Sequence, residues 1–312
     1  MSIWLTGYTA LVLFSALCPV ALAHAQGRAS GTPGALHRNT ITWTDSIPTR
    51  AIAWSPAGGT RRLPTLVFSP GFGQTPAQYS VMLEGWASRG FVVIAIAHPV
   101  FQDPDNMELY DATGVIAREL VRAIGHITRS QPSSGSPFAR VDTARIGLVG
   151  HSVGGAAVAL ACATDGRCKA AMDLDGTIFG DIVHTGLKQP FFLLRQHIAL
   201  GDTTSDPPRF YEKRDQASLH EDSVYAHTPT MYWLSVRKLD HMSFTDAALK
   251  PASMQRAQER LGTKLSAGRT QEMTLRYVSD FFGTYLSGAR RPATLDRSPY
   301  PGTELKWKRP AQ

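Results

Sequence analysis

The chain has 312 residues, with 32 Lys and Arg against 25 Asp and Glu, a formal net charge of +7 and three cysteines. Its basic residues are spread without a dense run and no nucleic-acid-binding motif occurs, so the charge points to anionic surfaces or substrates rather than to DNA or RNA. The absence of a C-x-x-C pair removes the common redox and zinc patterns, and no cofactor or metal is expected.

Residues 1–25 contain no Lys, Arg, Asp or Glu, and their centre, Ala10 to Val20, is apolar ahead of the small-residue site Ala23-His24-Ala25. This pattern predicts a secretory signal peptide, cleaved near Ala25, because the apolar run is too short for a comfortable membrane span. Leu17 is bulky where a lipid-attachment site before Cys18 would need a small residue. Residues 26–312 then form a single α/β domain, exported to the periplasm or the medium. In that oxidising setting the short ATDGR loop between Cys162 and Cys168 is suited to closure by a disulfide.

After a Gly- and Ser-rich lead-in over 26–38, Asn39 to Trp43 and Arg50 to Trp54 alternate as antiparallel strands do. LPTLVFS (63–69) and FVVIAIA (91–97) read as buried strands, separated by the turn Pro70-Gly71-Phe72-Gly73 and a helix over 76–88. A helix is predicted over 111–130, with Val115, Leu120, Ile124 and Ile127 on one side. Further short strands fall at 169–174, 191–194 and 230–236, and the last helix, 270–286, carries a stripe of Leu275, Val278, Phe282 and Tyr285. The polar stretch 197–228 lies where such folds insert a cap, and residues 288–312 read as a basic surface tail. Strands alternating with helices predict a mostly parallel sheet covered on both faces.

The chemistry converges on ARIGLVGHSVGG (144–155). A buried strand runs into Gly150-His151-Ser152-Val153-Gly154 and then into the apolar helix that follows. In a G-x-S-x-G turn of this kind, the flanking glycines avoid a Cβ collision and the serine is held at a strained apex with its hydroxyl exposed. A serine hydroxyl needs an adjacent base, oriented by a third group. In chain order Ser, acid, His, the base is His241 in KLDHMSF, the one histidine after the last parallel strand. His151 is expected to be directed away by the elbow. Asp175, at the end of KAAMDLD, is the first candidate acid; Asp202 and Asp206, after the next strand, are the alternative, and Asp173 points to another side of the pleat. Asp240 is too close to the histidine to orient it. The Val153 and Phe72 amides are the expected oxyanion donors.

With these pieces in place, the chain resembles the platelet-activating-factor acetylhydrolase family of α/β-hydrolases through FSPGFG, GFVVIAIAH, GHSVGG, MDLDG, PFFLL and DHMSFTDA, in that order over roughly residues 64–250. The resemblance implies Ser152 as nucleophile, Asp175 as acid, His241 as base, and Phe72 and Val153 as oxyanion donors. It implies a serine esterase acting on small-molecule or lipid esters with short acyl chains, in transient contact with membrane surfaces. SPGFGQTPAQYS and VDTARIGLVGHSVGG also look like secreted cutinase-like polyester hydrolases, which place the acid one strand later. Dienelactone hydrolases share the fold but use Cys at the position of Ser152. A silent binding protein that keeps the fold is the rival from another class.

Overall fold

A computed structural model describes residues 35–44, 49–98, 109–130, 136, 138–197, 211–249 and 265–310. The expected signal segment and the alternative acids Asp202 and Asp206 lie outside them. Nine strands form one sheet in the order β1-β2-β4-β3-β5-β6-β7-β8-β9. The six central strands are parallel: β4 (Val92–Ala97), β3 (Leu63–Ser69), β5 (Val141–His151), β6 (Cys168–Leu174), β7 (Phe191–Gln196) and β8 (Met231–Val236). All seven residues of β3 are buried, as a strand covered on both faces requires. One edge is the antiparallel hairpin of β1 (Leu36–Trp43) and β2 (Thr49–Pro56), and the other is β9 (Thr303–Lys308).

Successive residues of each central strand feed two separate cores. On one face Val67, Ile94, Leu148 and Leu193 pack under α2 (Leu109–Arg129) and α3 (Val153–Thr164). On the other, Leu66, Phe68, Val93 and Phe192 meet α1 (Ser80–Ala87) and α6 (Ala267–Ser287). A short α4 (Ile182–Thr185) and α5 (Tyr211–His227) complete the helices described. The chain therefore has the mixed, mostly parallel sheet and two-sided helical cover expected of an α/β-hydrolase fold.

Four details differ from the sequence reading. In α2, Leu120, Ile124 and Ile127 are buried as expected, but Ile116 rather than Val115 completes the stripe. In α6 the buried face is rotated: Val278 and Phe282 belong to it, Leu275 and Tyr285 lie at its margin, and Met273, Tyr277 and Phe281 fill its centre. Within 197–228 the described part, α5, is the crossover between the parallel strands β7 and β8, tied down by the Arg195–Glu221 ion pair and by Ser223 Oγ donating to the Val183 carbonyl. The tail also does more than wrap the surface: β9 pairs with β8, and Arg291 lies 4.4 Å over the Trp307 ring. Its alternation of charged and apolar residues hid an edge strand, because only one face of such a strand needs to be apolar.

Cys162 at the end of α3 and Cys168 at the start of β6 are joined by a disulfide, their Cα atoms 5.2 Å apart. Phe281, fully buried, lies among the rings of Phe192, Tyr232, Phe282 and Tyr285. Phe281→Ala should cost about 3–5 kcal/mol through lost contacts and a cavity. A urea titration should show a lower midpoint with an unchanged slope; an unchanged midpoint would contradict this account of the core.

Candidate active site

β5 delivers Ser152 to the carboxyl edge of the sheet, and the turn into α3 is as tight as the glycine pattern demands. A Cβ on Gly150 would come within 2.3 Å of the Gly154 carbonyl oxygen, and one on Gly154 within 2.2 Å of the Pro70 oxygen. Ser152 itself sits at φ 58°, ψ −129°, a backbone state that an L-residue holds only when its surroundings impose it. Here the imposition is visible: the Ser152 N–H donates to the Leu174 carbonyl on β6, and the Ser152 carbonyl accepts from Gly155 and Ala156.

The structure brings Ser152, His241 and Asp175 together from three loops. His241 Nε2 is 3.0 Å from Ser152 Oγ, and its Nδ1 is 2.7 Å from Asp175 Oδ2. A carboxylate only accepts, so Nδ1 carries the proton and Nε2 of the neutral ring is free to accept from the serine hydroxyl. Burial alone would lower the His241 pKa; the hydrogen bond and charge of Asp175, with help from Asp240, outweigh it and hold the ring above the ordinary 6.5. Asp175 follows β6 directly, as expected, and is itself at φ 62°. Its N–H donates to the Leu194 carbonyl and its Oδ1 accepts from Gln196 N, so β7 fixes both the main chain and the carboxylate. Asp240 instead caps the 3-10 turn His241–Phe244, accepting from Met242 N.

Val153, the first residue of α3, has no intrahelical acceptor for its N–H. The Gly71-Phe72 loop reaches the same place: a Cβ on Gly71 would lie 3.3 Å from Ser152 Cβ. A second row of the same residue types lies nearby, with Ser69 Oγ 2.8 Å from His98 Nε2 and His98 Nδ1 2.7 Å from Glu119 Oε2. Ser69 is fully buried at the end of β3, so this row braces the strand and does not meet a substrate. His197, His220 and His227 bond to Ser235, Ile178 and Ser223. Among the described residues no group of three or more His, Cys, Asp or Glu side chains is arranged to hold a metal ion.

Two features were missed from sequence. His151 does not simply turn away from the site: its ring lies 4.7 Å from that of His241, with Nε2 on the His241 carbonyl and Nδ1 on the Tyr79 hydroxyl. Asp173, two residues before the acid, is completely buried against α3, where a Cβ on Gly155 would come within 1.9 Å of its Oδ1. A carboxylate among the buried residues Ala170 to Leu174 of β6, two positions before Asp175, was the available signal.

The family model for PET hydrolase-like proteins (PETase) matches residues 25–187, just over half of the chain. The chain belongs to the PET hydrolase-like family. Ser152, Val153, Phe72 and Asp175 fall inside the matched stretch, and His241 falls beyond it. Over 147 residues the chain is 36% identical to a probable 1-alkyl-2-acetylglycerophosphocholine esterase of Arthroderma benhamiae, a match covering 42% of this chain and 35% of that protein. Over 206 residues it is 25% identical to the platelet-activating factor acetylhydrolase of Cavia porcellus, covering 53% and 47% respectively. The chain thus matches less than half the length of either relative. A ferulic acid esterase from Streptomyces cinnamoneus has the same fold, with a TM-score of 0.69 at 24% identity over 89% of this chain and 98% of that one.

Burial pushes the Asp173 carboxyl up to about 8; the Gly176 N–H bond opposes this and the neighbouring Asp175 charge adds to it. The folded protein therefore keeps a proton that an unfolded aspartate releases near 3.8, and stability declines as pH rises between those values. Asp173→Asn should melt higher than the parent at about pH 8.5, the gap narrowing towards about pH 5 and closing only below the unfolded value of 3.8. An equal gap at both values would contradict a buried, protonated Asp173.

Proposed function

We propose that this chain is an exported serine esterase that cleaves carboxylic esters through an acyl-enzyme. The observation that carries the proposal is the unbroken row Ser152 Oγ, His241 Nε2, His241 Nδ1, Asp175 Oδ2. In the first half-reaction Ser152 Oγ bonds to the acyl carbon as His241 Nε2 takes its proton. The Phe72 and Val153 N–H groups receive the charge that develops on the carbonyl oxygen. His241 then protonates the departing alcohol, and a water deprotonated by the same ring releases the acid and restores Ser152. Asp175 keeps the imidazole in the productive tautomer throughout.

Short acyl chains are the proposed preference, in keeping with the acetyl esters named in the two curated relatives. A second substrate reading, polyester hydrolysis, is favoured by the family to which residues 25–187 belong. Export is consistent with the Cys162–Cys168 disulfide, a bond that persists in oxidising compartments. The formal charge of +7 would favour anionic lipid surfaces as a place to meet substrate.

A fluorophosphonate probe should label Ser152 and leave Ser152→Ala unlabelled; a parent protein that fails to react would point to a silent binding protein. A panel of p-nitrophenyl acetate, p-nitrophenyl palmitate and a polyester film separates the substrate readings, with acetate turned over fastest. Because His241 must be neutral to act as base, activity should fall as pH drops through a value above the ordinary 6.5. Asp175→Asn should move that limb downward and reduce turnover by up to about 10⁴, the loss seen when serine proteases lose the orienting carboxylate. An Asp202→Asn variant should retain turnover; the opposite ranking, with both folded, would move the acid to Asp202.

A further inference from the structure

The contacts of His151 leave no freedom in where its protons sit. The Gly71 N–H can only donate, and it points at the Tyr79 hydroxyl oxygen at 3.2 Å. The Tyr79 oxygen gives its own proton to Nδ1 of a neutral His151, 2.8 Å away, because the other nitrogen of that ring is the one that carries the hydrogen. At the far end the His241 carbonyl can only accept, so His151 Nε2 carries a hydrogen and donates it over 2.9 Å. Every bond runs in one direction, from the amide of Gly71 to the carbonyl of His241, through two side chains that are almost wholly inaccessible.

The two ends of this row are the places where the proposed chemistry needs accuracy. Gly71 precedes Phe72, whose amide is the oxyanion donor, and a Cβ on Gly71 would lie 3.1 Å from His151 Nδ1, 3.3 Å from Tyr79 Oη and 3.3 Å from Ser152 Cβ. His241 sits on a short 3-10 turn after β8, where the ring must span Ser152 and Asp175 at once. The 3-10 turn alone is a weak support for that ring. Asp175 holds one edge of the imidazole; the His151 bond holds its main chain from the other side, with Phe244 packed 5.0 Å from the His151 ring.

Resting on the esterase reading of Ser152, we propose that His151 and Tyr79 are positioning residues that clamp the His241 main chain to the oxyanion loop, so that base and oxyanion donors keep a fixed separation. The clamp works only with a neutral His151. Burial, and then the nearby His241, push its pKa down to about 3, against the opposing pull of Asp175. It thus stays uncharged when His241, its ring centroid 4.7 Å from that of His151, takes up the serine proton.

The test is steady-state kinetics on p-nitrophenyl acetate with Tyr79→Phe, His151→Leu and His151→Gln, alongside fluorophosphonate labelling. Tyr79→Phe keeps the ring and removes only the hydroxyl, so it decides the matter even where His151→Leu fails to fold. Loss of the clamp should lower kcat by about ten- to a hundredfold with KM changed by less than about twofold, in line with the cost of a small misplacement of catalytic groups. His151→Gln, whose side-chain amide can still donate to the His241 carbonyl, should recover at least about tenfold over His151→Leu. Folded Tyr79→Phe with kcat within about twofold of the parent, a loss carried by KM, or a Gln variant no better than Leu would each overturn the clamp while parent labelling leaves the esterase reading intact. A parent protein unlabelled at Ser152 would remove that reading and the clamp with it.

Discussion

The strained turn at Ser152 is the constraint on which the rest of the site depends. A side chain held at φ 58° would relax if its neighbours allowed it. They do not, because β6 takes its N–H, α3 takes its carbonyl, and the flanking main chain passes so close that Gly150 and Gly154 admit no Cβ. The same closeness carries the Pro70-Gly71-Phe72 loop over the elbow. One tight turn therefore raises the hydroxyl, opens the first amide of α3 and brings in the loop that faces it.

Charge is handled around the site by giving each ionisable group a different environment. Asp175 is met by donors from β7 and from His241. Asp173, two residues earlier, receives one amide, and its complete burial outweighs the opposing pull of Arg195 and His241 and drives it towards its neutral form. The histidines divide in the same way: His241 is half exposed against a carboxylate, while His151 is enclosed between a hydroxyl and a carbonyl. Two carboxyls and two imidazoles gathered around one site thus have separate states, each decided by its burial, neighbouring charges and hydrogen-bond partners.

The sheet edges show how the fold holds this arrangement with modest means. The parallel centre supplies buried strands of nearly uniform hydrophobicity, and its ends are closed by antiparallel partners, β1-β2 on one side and β9 on the other. β9 covers β8, the strand leading to His241. The lone disulfide closes only the short connection from α3 to β6, the segment between the elbow and the acid strand.

By itself the sequence determined the strand and helix alternation, the elbow, and Ser152 and His241 as residues to bring together, with Asp175 as the first of its candidate acids. These are local or ordered features: glycine spacing encodes a turn, apolar runs encode buried strands, and the chain order of the three groups follows from the parallel topology. What only the tertiary structure decided are contacts between segments distant in sequence. The partnership of His151 with Tyr79 and the His241 carbonyl joins residues 72 and 90 positions apart. The buried face of α6 was misjudged by part of a turn, since a helix with apolar residues on much of its surface has its burial set by what packs on it. The edge strand β9 was likewise invisible, because a charged, alternating hexapeptide becomes a strand only when a neighbouring edge offers it hydrogen bonds.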